Sequence, residues 1–412
     1  MPAHDADASA GAKSYDVALI GAGVFGSWIA YHLRKSGASV LLLDSYGPAH
    51  SRASSGGESR IIRMGYGPDE IYTQWSLRAL PLWQELFAEA GRPELFQPTG
   101  VLWIADETER AAYARDSLAT LTKLRVPFER LSNDNLRRSY PQISIDDSSW
   151  GILEPSSGVL LARRAVQCVV EQAKKIGVRY ELAAALPPPR RTSALRSRLS
   201  TITTAAGKKI SANTFVFACG PWLPKIFPSL LADRLFISRQ EIFFFGVPGG
   251  DPHFLSPALP TWLFLRDEFY GMPDIESRGF KVADDHHGPF ADPDTQSRIA
   301  NPDAVAAARK FVARRFPSLK DAPIVESRVC QYENTSNGDF LIDQHPDFEN
   351  VWLVGGGSGH GFKHGPSVGE YVTMRILHGR PQSHSSNQPS AEQLERRFSL
   401  ATKESVQHRA VF

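Results

Sequence analysis

Three glycines in the run Gly21-Ala22-Gly23-Val24-Phe25-Gly26 could fold a backbone turn around a pyrophosphate. In such a turn the first glycine permits the tight bend, the second lets the backbone reach the phosphates, and the third lets a helix settle on a strand. An acidic residue roughly 20 positions on accepts the hydroxyls of a ribose, and Asp44, followed by Ser45, stands at that distance. An acid there, in place of an arginine, disfavours a ribose 2′-phosphate. It leaves nicotinamide and flavin dinucleotides both open.

These residues need a strand before the turn and a helix after it. Val17 to Ile20 is an apolar strand, Ser27 to Lys35 an amphipathic helix and Val40 to Leu43 a second apolar strand, which makes a βαβ unit. Two later runs repeat the strand-then-glycine arrangement, Thr214 to Gly220 and Asn350 to Gly357. Buried parallel strands that end in glycine suit one sheet touching a cofactor along its carboxyl edge. Helices are predicted around Tyr72 to Ala90 and from Arg163 to Ile176, with Val166, Val169 and Val170 on one face of the latter, and a short strand from Gly100 to Ile104. Pro187-Pro188-Pro189-Arg190-Arg191 reads as an exposed loop. From Phe236 to about Ile324 the texture changes to aromatic β-type runs such as Ile242-Phe243-Phe244-Phe245, and a substrate domain is expected there.

A chain of 412 residues is too long for one ordinary core, so two domains framing a cleft are expected. A formal net charge of +2, from 46 basic and 44 acidic residues, gives no overall field for nucleic acid or an anionic membrane. No apolar run reaches the roughly 18 residues of a membrane span. Cys168, Cys219 and Cys330 are too few for a secreted disulfide framework and lack metal-ligand spacing, so no metal is expected. Met1 to Ser14 has no basic start or apolar stretch and reads as a disordered tail; Arg409-Ala410-Val411-Phe412 is not a Ser-Lys-Leu address. The cytoplasm is the expected compartment.

Beside the glycine turn the chain carries Gly56-Gly57-Glu58-Ser59-Arg60-Ile61-Ile62-Arg63, Thr99-Gly100-Val101, Glu154-Pro155-Ser156-Ser157-Gly158-Val159 and Cys219-Gly220-Pro221-Trp222. Later come Cys330-Gln331-Tyr332, Asp339-Phe340-Leu341-Ile342-Asp343, His345-Pro346 and Gly357-Ser358-Gly359-His360-Gly361-Phe362-Lys363. In this order and spacing, from about Asp16 to Gly379, the chain resembles the D-amino-acid-oxidase superfamily, most closely its monomeric sarcosine oxidase and N-methyltryptophan oxidase branch. The resemblance implies FAD and an α/β (α+β) fold. A Rossmann-like FAD-binding domain, built from 15–95, 155–225 and 325–380, would interleave with a mixed-sheet substrate domain from 96–154 and 226–324. A C-terminal linker and helix or tail would follow over 381–412.

The same resemblance implies cofactor contacts at Gly21, Gly23, Val24, Phe25, Gly26, Asp44, Ser45, Arg60, Gly220, Trp222, Gly357, Gly359, His360, Gly361, Phe362 and Lys363. It further implies a covalent bond from the Cys330 sulfur to the 8α-methyl of the flavin. By residue type alone a lone cysteine in a strand is a buried small hydrophobe, although a thiolate is also the strong soft nucleophile such a bond needs. Arg63 and Lys363 match a pair that grips the substrate carboxylate, a planar fork and a point charge. Lys281 matches a lysine that speeds reaction with oxygen, a fixed cation stabilising charge as it develops. Tyr270 should line the substrate cavity and Arg60 should tune the flavin ring.

Two positions depart from the sarcosine-type pattern. Gly56 stands where those enzymes carry a histidine, and Asp285 where a second histidine follows the oxygen lysine by four. A glycine is expected to make room, and an acid to favour a cationic or polyhydroxylated substrate over sarcosine. Lys281-x-x-Asp284-Asp285 is also similar to a segment of fructosyl-amino-acid and saccharopine oxidases, and His286 and His287 are expected to face solvent. The implied activity is oxidation of a secondary or N-substituted amino acid to an imine by a monomer, with oxygen reduced to hydrogen peroxide. Alternatives are a fructosyl-amino-acid (Amadori) or saccharopine-type oxidase, a biosynthetic tailoring oxidase, a flavin-binding scaffold and an NAD-dependent dehydrogenase.

Overall fold

Apolar runs buried on both faces pair in parallel, and that is how the glycine-bearing strands assemble. Ser14–Ile20 lies between Lys209–Phe217 and Val40–Asp44, parallel to both, while Arg179–Leu182 and Val351–Gly355 extend the parallel array on its two sides. Leu341–Gln344 closes one edge antiparallel, and Thr201–Thr203 adds a seventh strand beside Lys209–Phe217. This computed structural model describes residues 14–107, 111–189, 195–379 and 390–408. The expected N-terminal tail up to residue 13, Arg190 and Arg191, the run 380–389 and the last four residues lie outside the described residues.

The helix predicted after the turn spans Val24–Lys35 and packs against Ala162–Lys175 and Gly365–His378. Glu70–Glu89, the helix expected from Tyr72, starts at Asp69, whose carboxylate accepts from the Ile71 and Tyr72 amides as an N-cap. The final helix, Ala391–Phe398, has a capping box at Ser390 and Gln393. It docks by burying Phe398 against Tyr72, Trp75, Phe340 and Tyr371, while Arg397 bonds both Asp69 and Asp339.

The second sheet has eight strands, in the order Ile324–Thr335, Leu235–Phe245, Phe280–Asp284, Phe269–Met272, Thr261–Phe264, Val101–Ala105, Trp150–Glu154 and Glu129–Leu131. It is mixed, because Thr261–Phe264 runs parallel to Val101–Ala105 while its other pairs are antiparallel. Strand alternation sends Phe243, Phe245, Phe280 and Val282 into a core under helix Pro302–Arg315. The same alternation turns Ile242, Phe244, Ala283 and Cys330 to the opposite face, and Lys281 with them. Ile324–Thr335 pairs with Leu235–Phe245 along its length, so the change of sheet falls after Thr335 and not between 324 and 325. Arg60–Ile62, Gly158–Leu160 and Phe96–Gln97 form a small third sheet. Among the described residues no helix is long and apolar enough to cross a membrane.

Candidate active site

A cavity of about 390 Å³ lies where Ser14–Ile20, Lys209–Phe217 and Val351–Gly355 end in their glycines. Gly21 has φ +107°, and a Cβ there would sit 2.3 Å from the Ala218 carbonyl oxygen, so only glycine makes this bend. At Gly26 a Cβ would meet the Gly21 carbonyl oxygen at 1.9 Å, which is the close seat of helix on turn. Asp44 braces the same turn: Oδ2 accepts from the Ala22 amide at 2.7 Å, and Oδ1 from the Tyr46 and Gly47 amides at 2.9 and 2.8 Å. Ser55 Oγ accepts from the Val24 amide at 3.1 Å. The helix N-terminus and these glycines form a cradle fit for a pyrophosphate.

Gly21, Gly23, Val24, Phe25, Asp44, Ser45, Arg60, Gly220, Trp222, Gly357, Gly359, Gly361 and Phe362 line this cavity. Gly26, His360, Lys363 and Cys330 stand off it. Gly26 is sealed by the turn, His360 bonds the Gly338 carbonyl at 3.0 Å, and the Lys363 ammonium turns away to the Tyr66 hydroxyl at 2.7 Å. A rim of Tyr46, His50 and Trp222, with His50 4.7 and 5.8 Å from the other two rings, closes the mouth. Trp222 Nε1 donates to Asp294 at 2.7 Å, and Lys225 pairs with Asp292 at 2.8 Å. Of this rim only Trp222 was expected to touch the cofactor; Tyr46 and His50 come from a segment distant in sequence and had no signal of their own.

The cations gather beyond the cavity's inner end. Arg60 Nη2 donates to Cys330 Sγ at 3.3 Å and to the Ser54 carbonyl at 2.7 Å. Lys281 Nζ donates to the Ser59 carbonyl at 3.0 Å and to Ser59 Oγ at 3.2 Å, and lies 5.7 Å from the centre of the Tyr270 ring. Burial, with Arg60 close by, pushes the Lys281 ammonium well below the usual lysine range. Burial pushes the Tyr270 phenol up to about 12.

Next to them sits a second charged group. Arg63 is clamped between the Tyr66 and Trp103 rings, 4.7 and 4.6 Å from their centres, and bonds the Gly65 carbonyl. Glu154 fixes that turn by accepting from the Met64 amide at 2.7 Å and the Gly65 amide at 3.1 Å. Burial and the nearby Arg63 push Lys363 well below the usual lysine range. Asp285 accepts from the Tyr332 hydroxyl at 3.1 Å; burial pushes its carboxyl up to about 6, against the pull of Tyr332, Arg63 and Lys363. Arg63, Lys363 and Asp285 therefore share one electrostatic neighbourhood. Gly56 makes no room there: a Cβ would run into the His50 carbonyl oxygen at 1.9 Å, so the glycine serves backbone packing and the expected enlargement is absent. His286 is exposed and paired with Asp284 at 2.6 Å, outside the site.

Residues 16–375 match the FAD dependent oxidoreductase family. The chain belongs to that family. It is 31% identical to the peroxisomal sarcosine oxidase of Homo sapiens, over 87% of this chain and 91% of the relative. It is 27% identical to the N-methyl-L-tryptophan oxidase of Yersinia pestis, over 87% of this chain and 94% of the relative. A solved fructosyl peptide oxidase from Aspergillus nidulans superposes with a TM-score of 0.79 at 18% identity, covering 95% of each chain. In this FAD-dependent oxidoreductase the glycine cradle meets the pyrophosphate requirement, and the lining of the same cavity includes Arg60 and Tyr332.

Proposed function

We propose that this oxidoreductase converts the C–N single bond of an N-substituted α-amino acid to an imine and delivers the electrons to dioxygen, with hydrogen peroxide as product. The observation that carries the reading is the buried grouping of Arg63, Lys363 and Asp285 beside Tyr332, at the inner end of the cofactor cavity. FAD, when bound, supplies the two-electron acceptor. Arg63 takes the substrate carboxylate in its planar fork and Lys363 adds a point charge, which fixes the orientation of the amine. With a carboxyl titrating at about 6, Asp285 is a carboxylate at neutral pH and takes the proton of the substrate ammonium, freeing the nitrogen lone pair. Tyr270 and Tyr332 cover the site and exclude water. Lys281 stabilises the negative charge that builds on dioxygen. The substrate gives up two electrons and two protons, one from C–H and one from N–H, and dioxygen takes up both pairs.

A substrate other than sarcosine is favoured, because Asp285 stands where the sarcosine-type enzymes carry a histidine and so changes the charge of the pocket. That acid also supports a second reading, a fructosyl-amino acid whose hydroxyls bond to it. Cys330, held beside Arg60, is the sulfur we assign to covalent attachment of FAD. Similarity to relatives named monomeric sarcosine oxidase supports action as a monomer. Anaerobic mixing with sarcosine, N-methyltryptophan, pipecolate, saccharopine and fructosyl-amino acids tests the reading. Bleaching of the flavin by at least one N-substituted acid, followed by peroxide on admission of air, is expected; no bleaching by any of them overturns it. Acid precipitation tests Cys330: yellow colour in the pellet supports attachment, and colour in the supernatant removes it.

A further inference from the structure

Glu333, on the strand Ile324–Thr335, lines the cofactor cavity and is only 6% exposed. Its Oε2 accepts from the Gly356 amide at 2.9 Å, and its backbone carbonyl accepts from the Ser358 amide at 2.8 Å. Oε1 is buried as well and has no hydrogen-bond partner among the described residues. Gly355 leaves the carboxyl its place, since a Cβ there would stand 2.7 Å from Oε1. Burial pushes the acid up to about 7, against the pull of the Gly356 and Gly357 amides. An unbonded buried oxygen is costly, and a native chain keeps one where a ligand completes it. The sheet order says which part of FAD passes this carboxyl. Asp44, the acid suited to the adenosine ribose, ends a strand on one side of Ser14–Ile20, while Lys209–Phe217 and then Val351–Gly355 lie on the other. A pyrophosphate seated in the Gly21–Gly26 turn between them sends the flavin half toward Gly355, where Glu333 stands.

We infer that Glu333 is a cofactor-binding residue, its Oε1 bonding a hydroxyl of the ribityl chain of FAD. This goes beyond the amine chemistry above and needs only the dinucleotide. The nature of the partner follows from that of the acid. A carboxyl that titrates near neutrality is populated both with and without its proton, so it needs a neighbour able to donate as well as accept. A hydroxyl does both, whereas the carbonyls of the flavin ring only accept and its ring N–H only donates. Two acids, Asp44 and Glu333, then stand by the hydroxyl-bearing chains on either side of the pyrophosphate.

Binding is measured on the full chain carrying Cys330→Ala, which removes the sulfur assigned to attachment and keeps the equilibrium reversible. The protein is stripped of flavin and titrated with FAD, or with an FAD analogue whose ribityl hydroxyls are replaced by hydrogen, and quenching of flavin fluorescence reads the affinity. Adding Glu333→Leu is expected to weaken FAD by about tenfold or more, and Glu333→Gln, which keeps a donor and an acceptor, by about threefold or less. Toward the analogue the leucine variant and its parent should bind alike. The analogue separates a bond from a packing effect, because damage to the Gly356 turn weakens both ligands equally. Equal losses for FAD and the analogue overturn the inference, as does no loss for FAD. If the leucine variant fails to fold, a crystal structure of the wild-type holoenzyme decides: a ribityl hydroxyl within hydrogen-bond reach of Oε1 supports the assignment, and Oε1 bonded elsewhere overturns it. None of these readouts needs an amine, so failure of the oxidase reading is separately visible.

Discussion

Replacing Asp285 with asparagine keeps the shape of the side chain and an acceptor for the Tyr332 hydroxyl while removing its charge. In the native protein the carboxyl is raised from an ordinary 3.8 to about 6 by burial. A raised carboxyl weakens the fold where it ionises: well below its ordinary 3.8 both states are protonated and nothing is lost, and the penalty grows as pH rises from there to the folded value of about 6 and then levels off. About two pH units correspond to about 3 kcal/mol at pH 8, and linkage leaves about half of that at pH 5. Asp285→Asn should therefore be more stable than the wild type at pH 8 by up to about 3 kcal/mol, with the gain shrinking as pH falls. Urea denaturation of both holoenzymes at pH 5 and pH 8 measures it. A gain of equal size at the two pH values, or none at pH 8, refutes the buried-carboxylate account. In catalysis the variant should lose about tenfold or more in kcat/KM toward amine-bearing acids, since nothing takes the ammonium proton, yet bind simple carboxylates more tightly.

Gly26→Ala should purify without flavin absorbance, because its Cβ has 1.9 Å to the Gly21 carbonyl oxygen and the turn must shift; normal flavin content would contradict this. Lys281→Met should slow reoxidation of the reduced holoenzyme by about a hundredfold while leaving anaerobic bleaching unchanged, read by stopped flow. Binding of a carboxylate inhibitor should take up protons, because burial depresses Lys363 and an incoming anion restores its ammonium; calorimetry in two buffers of different ionisation enthalpy gives the number. Phe398→Ala, which empties a fully buried aromatic position, should cost about 3–5 kcal/mol, measured by denaturation.

The pyrophosphate end was legible because it depends on residues adjacent in sequence. Gly21, Gly23, Gly26 and Asp44 lie within one βαβ unit, and the strands Lys209–Phe217 and Val351–Gly355 fall where their apolar runs predict. Arg63, Lys363 and Asp285 became candidates only through resemblance, since a lone cation or acid has no local pattern, and the fold is what brings them together. Gly56 was misread as spare volume: a missing side chain makes room only if its Cα faces a cavity, and this one faces the His50 carbonyl. Tyr332, Tyr66, Tyr46 and His50 were given no role, because the contacts that give them one span distant segments. Ile324–Thr335 hydrogen-bonds into the eight-stranded sheet although the expected FAD-binding segment began at 325, because its mixed polar and apolar residues do not announce which sheet it joins.

Ile324–Thr335 is paired along its length with Leu235–Phe245, and its residues Gln331, Tyr332 and Glu333 line the cofactor cavity. One rigid ribbon thus spans the substrate platform and the wall that holds the cofactor. Bending at that junction would break a run of ladder hydrogen bonds, so the platform is not free to swing like a jaw. Access for an amine must come from movements of loops and side chains. Widening the substrate range by engineering therefore means reshaping those loops, with this strand left as the fixed beam from which distances are measured.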